Sequence, residues 1–208
     1  MPVALADLVS SWRTAVVTSE VQNGVIGDEA ALPVLAEAAR GSMVPNLARL
    51  VKAARTAGVE VVHATYARRL DGKGTNHNAR LFAGVDKSPV KLLPGSDAVR
   101  VIPEIGVSPT DIVLTRMHGL NPMSGTDLDA VLRNLGVTTI VVTGVSVNIA
   151  ITNLVMEAVN LGYDVVLPRD AVCGVPADYA EAVIENTLSL LATVTTVDEL
   201  VGVWEAAG

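Results

Sequence analysis

The stretch TTIVVTGVSVNIAITNLVMEAVNLGYDVVLPRD, Thr138 to Asp170, decides the architecture of this chain. Its first part, TTIVVTG from Thr138 to Gly144, is an unbroken apolar run closed by glycine. Such a run suits a strand buried on both faces, not an alternating, half-solvated one. Asn148 to Leu161 reads as the helix after it. YDVVLPRD, Tyr163 to Asp170, is a second buried strand. Strand, helix, strand in that order is a βαβ unit, whose strands run parallel.

The same alternation continues on both sides. Towards the C-terminus, Pro176 opens a helix predicted over Ala177 to Leu191. ATVTTVDEL then supplies a strand and a cap into a last helix at Val197. Towards the N-terminus, DIVLTR (Asp111 to Arg116) is a strand ending in charge, followed by the turn-rich HGLNPMSG and a helix near Thr126 to Asn134. VEVVHAT (Val59 to Thr65) is another strand. The helix before it runs through Met43, Leu47, Leu50, Val51 and Ala54, with Ser42 as its N-cap and Gly58 as its stop. TAVVTS (Thr14 to Ser19) is the first strand, and Glu20 stands at its exit. Tyr66 to Val107 has no sustained period and many glycines and prolines, so it is an excursion serving a site wall or a subunit contact. About six strands are too few for a barrel and fit a three-layer α/β/α, doubly wound, Rossmann-like sheet.

The chain has 208 residues, which suits a single domain over 1–208. Half of it is apolar, mostly Ala, Val and Leu with few aromatics, as buried parallel strands require. A charge of −7 without a basic patch argues against a nucleic-acid partner. Cys173 is the single cysteine, so no intramolecular disulfide and no thiolate metal cluster can form. The opening MPVALADLVSSW has no secretory pattern, and no charge-free run is long enough to span a bilayer, so a cytoplasmic location without a membrane partner is expected.

In open parallel sheets ligands collect beyond the C-terminal ends of the strands. Three of these ends are distinctive: Glu20 after the first strand, Arg116 after the third, and GVSVNIA from Gly144 after the fourth. A carboxylate beside a guanidinium can hold an anionic substrate or move a proton. It can equally be an ion pair that ties strand ends together.

AVVTSEVQNG (Ala15 to Gly24) and the run from Asp111 to Val172 resemble the isochorismatase-like hydrolase superfamily, which includes cysteine hydrolases such as nicotinamidases. The likeness is strongest from Thr126 to Ala171 and implies the same parallel α/β fold. The cysteine-hydrolase branch carries an aspartate after the first strand, a lysine after the third and a nucleophilic cysteine where the fourth strand enters its helix. The matching positions here are Glu20, Arg116 and Ala150. Alanine cannot form a covalent acyl-enzyme, and Cys173 lies after the fifth strand instead. The resemblance therefore implies a hydrolase without a cysteine nucleophile, or a catalytically inactive small-molecule-binding or assembly protein that keeps the fold.

The isochorismatase branch proper also has a small residue in place of the cysteine, while its acidic side chain acts on a vinyl ether. On that analogy Glu20 is a general acid and Arg116 clamps a carboxylate or stabilises developing negative charge. Arginine keeps its proton and offers a planar fork, which suits clamping, not proton shuttling. Glutamate for aspartate moves the carboxyl by about 1.5 Å. Gly144, Val145 and Ser146 resemble the family's turn with a non-proline cis peptide, which aims backbone amides at a substrate carbonyl. Pattern alone puts Val147 to Ile151 at a helix N-terminus, where free N–H groups favour an anion. Val145, Ser146 and Asn148 are thus candidates for oxyanion and substrate binding, although Ser146 and Asn148 serve equally well as helix caps. His118, two residues beyond Arg116, is the pocket histidine or an exposed loop residue.

Nicotinamidases bind a divalent ion through an aspartate and histidines after the second strand. Here HATYARRLDGKGTNHNAR has no matching set, and the spacing of His63, Asp71 and His77 does not demand a metal. No metal and no cofactor are expected. Tyr66, Arg68, Arg69, His77, Asn78 and Arg80 read as a polar loop at the mouth, for substrate contact or an interface. The expected ligand is small and anionic or carbonyl-containing, and the resemblance implies a homodimer or larger homo-oligomer.

Overall fold

Seven strands form one parallel sheet in a computed structural model that describes residues 4–207. They are β1 (Thr14–Ser19), β2 (Glu60–Tyr66), β3 (Ile112–Arg116), β4 (Thr139–Val145), β5 (Asp164–Pro168), β6 (Val172–Cys173) and β7 (Thr193–Thr195). Six follow the order β3-β2-β1-β4-β5-β7, and every pairing is parallel. The seventh, β6, is two residues long and pairs Val172 with Gly144 and Cys173 with Val145 beyond the end of β5. A strand that short carries no pattern of its own, which is why about six strands were expected.

The helices are α1 (Leu5–Leu8), α2 (Asn23–Ile26), α3 (Pro33–Ala38), α4 (Val44–Thr56), α5 (Arg80–Lys87), α6 (Leu128–Asn134), α7 (Thr152–Asn160), α8 (Ala177–Asn186) and α9 (Val197–Ala207). Alternate residues of each central strand go to opposite faces, so each face buries its own apolar layer. Val16, Val61, Val141 and Val166 pack under α4 and α9 through Leu47, Leu50, Val51, Leu200 and Trp204. Ala15, Val17, Val62, Ile140 and Val142 pack under α6, α7 and α8 through Leu132, Leu154, Val155 and Ile184. Trp204 Nε1 donates to Val9 O at 2.9 Å, so its polar edge is satisfied in the core.

Two element boundaries differ from expectation. The helix expected to start at Ser42 begins at Pro33 and passes through a π-helical turn, Ala39–Met43, directly into α4, so Ser42 is interior and caps nothing. Proline at the first turn is the stronger start signal, and Leu35, Ala36, Ala39 and Met43 bury one continuous face. Gly58 ends this helix as expected, with φ +71°. The helix from Ala177 stops at Asn186 because Thr187 leaves helical geometry, and a single 3₁₀ turn follows at Leu188–Leu190. α9 opens on a reciprocal cap: Glu199 N donates to Thr196 Oγ1 at 3.3 Å and Thr196 N to Glu199 Oε2 at 3.0 Å. Within the irregular stretch from Tyr66 to Val107 the regular elements are α5 and a 3₁₀ turn at Asp97–Val99.

Candidate functional site

From β1 the chain winds outward to β2 and β3 on one side of the sheet, then returns to β4 on the other. The crevice between diverging crossovers therefore opens over the C-terminal ends of β1 and β4. Glu20 follows β1 directly and has φ +55°, the left-handed region that few non-glycine residues occupy. Its backbone N–H donates to Ala64 O at 2.9 Å, which holds this turn against β2. Across the crevice Ser19 Oγ donates to Val145 O at 3.1 Å, and the Val145–Ser146 peptide is cis. Gly144 permits this approach: with φ +99°, a Cβ there would overlap Ser19 O and lie 2.9 Å from Ser19 N.

Arg116 closes β3 beside Tyr66 in the sheet register. Its side chain is only 4% exposed, and its Nη2 donates to Glu20 Oε1. The guanidinium stacks on the Tyr66 ring, 5.2 Å from its centroid. Its Nε and Nη1 are buried without a hydrogen-bond partner among the described residues. Unsatisfied donors on a buried cation are costly, and they match a carboxylate or an oxyanion. Glu20 is one-fifth exposed, and its second oxygen meets no donor among the described residues. Burial raises the pKa of the Tyr66 phenol against the opposing pull of the nearby arginines, which keeps it protonated.

Ala150 is buried in a π-helical turn, Val147–Ile151, that leads from the end of β4 into α7. Ser146 and Asn148 do not cap it. The Ser146 carbonyl accepts from the N–H groups of Ile149 and Ile151, while neither side chain makes a capping bond. The wider turn brings these backbone groups to one carbonyl, so the hydroxyl of Ser146 is not needed. Asn148 Oδ1 is buried and has no hydrogen-bond partner among the described residues. Cys173, aligned with Val145, is half-buried, and desolvation raises its thiol pKa against a hydrogen bond from the Gly174 N–H.

His118 is exposed and lines a cleft of about 410 Å³ along the edge strand β3, with Arg116, Thr65, Thr115, Met117 and Asp127. Glu20 and Ala150 are not among the residues lining that cleft. The structure thus brings Glu20 and Arg116 into contact, sets Val145 and Ser146 at the adjoining strand end, and puts His118 in the β3 cleft that Arg116 also lines.

His63 points into the sheet interior. Its Nδ1 lies 2.8 Å from Thr18 Oγ1 and its Nε2 3.2 Å from Asp111 Oδ2, and Arg55 pairs with the same carboxylate at 2.6 Å. Burial lowers the His63 pKa, only partly offset by Asp111. For Asp111 burial acts to raise the pKa, but Arg55, the Ser108 N–H and His63 outweigh it and the carboxyl is held low. His77 instead faces Gly72 O and Asp86, and Asp71 binds Arg69. Among the described residues no group of three His, Cys, Asp or Glu side chains is placed to hold a metal ion.

Gln22 has no counterpart among the sequence candidates. It is fully buried, accepts from Tyr66 N at 2.7 Å and donates to Tyr66 O at 2.9 Å and Val99 O at 3.0 Å. It thereby fixes Tyr66, and so the ring under Arg116, to the exit of β1. The available signal is a glutamine two residues beyond the strand-end acid, in a stretch otherwise bound for the core.

A doubly wound sheet whose switch point carries an acid–guanidinium pair belongs to the class of α/β proteins in which small molecules commonly bind in that crevice. The chain belongs to the isochorismatase family, whose Isochorismatase domain model matches residues 14–199. It is an isochorismatase-family hydrolase by sequence and fold. Its relatives include an uncharacterized isochorismatase family protein, YwoC, of Bacillus subtilis, 28% identical over 76% of this chain and 77% of that protein. The ureidoacrylate amidohydrolase RutB of Agrobacterium fabrum is 27% identical over 92% of this chain and 90% of its own. Among solved structures, a cysteine hydrolase from Pseudomonas syringae pv. phaseolicola superposes with a TM-score of 0.84 at 25% identity, covering 97% of this chain and 96% of that one. No described helix is long and apolar enough to cross a membrane.

Proposed function

We propose that this chain hydrolyses a small substrate bearing a carboxylate or polarised carbonyl, by acid-base catalysis without a covalent intermediate. The carrying observation is the Arg116–Glu20 pair, in which one carboxylate oxygen is held while two guanidinium nitrogens remain unpartnered. In this reading Arg116 clamps the substrate anion or the developing oxyanion. Acting as general acid, Glu20 gives a proton to the substrate, water adds to the carbon so activated, the carboxylate takes back a proton from the added water, and the C–N or C–O bond then breaks so that the amine or alcohol leaves carrying the donated proton, or one exchanged for it. Backbone N–H groups around Val145, Ser146 and Asn148 polarise the carbonyl. Ala150 contributes no nucleophile. Vinyl ethers, amides and small carboxylate esters all fit this chemistry, and the amidohydrolase relative favours an amide or ureido group.

A second reading is a binding or assembly protein that keeps the fold, favoured by the hold of Arg116 on Glu20 Oε1. A screen of amides, ureido acids, vinyl ethers and carboxylate esters on wild type and on Arg116→Gln separates the two. Turnover that the substitution abolishes supports the hydrolase. Carboxylate binding that needs Arg116, with no turnover of any class, supports the binding protein. The chain is further proposed to self-associate through its irregular Tyr66–Val107 stretch and Ala-rich C-terminal region. Sedimentation at micromolar concentration should give a dimer or larger species, and a concentration-independent monomer would refute this.

A further inference from the structure

The outer strand β3 is bonded on one side only, to β2. In a parallel ladder the N–H and C=O of one residue turn to one neighbouring strand and those of the next residue to the other. Arg116 O accepts from Ala67 N at 2.9 Å, so Arg116, and with it Leu114 and Ile112, turns its backbone to β2. Val113, Thr115 and Met117 therefore turn theirs outward, and no backbone group of a turn or loop among the described residues bonds to them. The same residues are the exposed ones: Val113 is 45% and Met117 43% exposed, with exposed Thr115 between them. Natural edges are guarded by shortness, by lysine or proline, or by a bulge. The opposite edge, β7, is three residues long. β3 has five residues, and its one charged side chain, Arg116, is turned inward.

We propose that a second copy of this chain pairs its β3 with this one, antiparallel about a two-fold axis beside Thr115, so that one sheet runs through both copies. Outward groups meet only where odd-numbered residues oppose odd-numbered ones. Centring the pair on Thr115 uses every one of them: Thr115 faces the partner's Thr115, and Val113 faces the partner's Met117. Each pair exchanges N–H···O bonds in both directions, so the partial charges of the two edges are complementary along their length. Directly opposed side chains share a face, which sets the exposed apolar residues of one strand against those of the other. A register centred on Leu114 instead leaves Met117 opposite Asp111, whose carboxylate is already held by Arg55. The match is of this strand with itself, which selects a second copy over a foreign strand, and the two-fold axis closes the assembly. The partner's Leu114 then lies opposite Arg116 and the partner's Ile112 opposite His118, beside the cleft that Arg116 and His118 line. This surface is separate from the Tyr66–Val107 stretch and the C-terminal region, and it holds whether or not the chain is a hydrolase.

Sedimentation velocity on the whole chain at micromolar concentration should show the dimer. Thr115→Pro removes an outward N–H without breaking a bond to β2, and Val113→Lys puts a charge in the apolar row. Each should raise the dimer dissociation constant roughly tenfold or more. Leu70→Lys and Leu190→Lys, at exposed leucines away from this edge, should leave the pair intact. Were Thr115→Pro to unfold, cross-linking decides. In a Cys173→Ser background, mild oxidation should join Thr115→Cys chains to one another, since opposed Cα atoms in such a pair lie about 5.5 Å apart. Val113→Cys chains should stay single, because each faces Met117 of the other copy. A wild type that remains monomeric would overturn the proposal and leave the edge to a strand of another protein. A dimer that survives both β3 substitutions, or one that cross-links through Val113→Cys and not through Thr115→Cys, would overturn it as well. Loss of the dimer in Leu70→Lys but not in Val113→Lys would place the contact in the irregular stretch instead.

Discussion

Arg116 spans the width of one strand: it closes β3, aligns with Tyr66 of β2, and bonds across it to Glu20 at the exit of β1. Because only Nη2 is used, the rest of the guanidinium does little for the fold. Arg116→Met, of similar length and apolar, should therefore cost less than about 1 kcal/mol in urea unfolding while abolishing carboxylate binding. A loss above about 3 kcal/mol would mark Arg116 as a strut between strand ends.

Gly144 lets the end of β4 touch β1 beside the Glu20 turn. Gly144→Ala forces a Cβ against the Ser19 backbone at a positive φ. Backbone cannot yield as a side chain does, so a destabilisation of about 3 kcal/mol or more is expected, with loss of any activity. A melting temperature equal to that of wild type would contradict the close approach.

His63 gives the fold a pH dependence whose sign is fixed by its surroundings. Burial lowers its pKa below the ordinary 6.5, so the unfolded chain binds this proton more readily than the native one. The stabilisation is fully present above the unfolded value and is lost as pH falls below it. Asp111, held low, adds a further loss as pH falls through the carboxylate range. Unfolding free energy measured from pH 8 to pH 5 should decline, and His63→Gln should flatten the decline while costing about 1–3 kcal/mol at pH 8. An unchanged slope in the variant would refute the assignment.

Six of the seven strands are legible in the sequence, most sharply β1, β4 and β5, whose apolar runs are buried so that local pattern and tertiary environment agree. β6 was not legible, because two residues become a strand only through their register with Gly144 and Val145. Ser42 read as a cap because serine before an apolar period usually is one, yet the buried face of Leu35, Ala36 and Ala39 carries the helix through it. At the site, Glu20 and Arg116 could be read as strand ends. Their contact depends on the order β3-β2-β1, which no local pattern encodes. Gln22 and Asp111 escaped notice for the same reason: their partners, Tyr66, Val99, Arg55 and His63, are far along the chain.

Cys173 takes no part in the proposed chemistry. Its thiol is half-buried and raised in pKa, so little thiolate is present at neutral pH. Cys173→Ser and iodoacetamide treatment should leave turnover unchanged, and intact-protein mass spectrometry during turnover should find no acyl adduct. An adduct on Cys173 would show that the thiol reacts after all.

Glu20→Gln tests the central claim most directly, because the amide keeps the size of the side chain and its place beside Arg116 while removing the transferable proton. With a substrate that wild type turns over, the variant's Kd and kcat are measured side by side. The account predicts a Kd within about threefold of wild type and a kcat lower by about 10²-fold or more, the range expected for loss of a general acid. A kcat left unchanged by Glu20→Gln would contradict the mechanism, whatever else the protein hydrolyses.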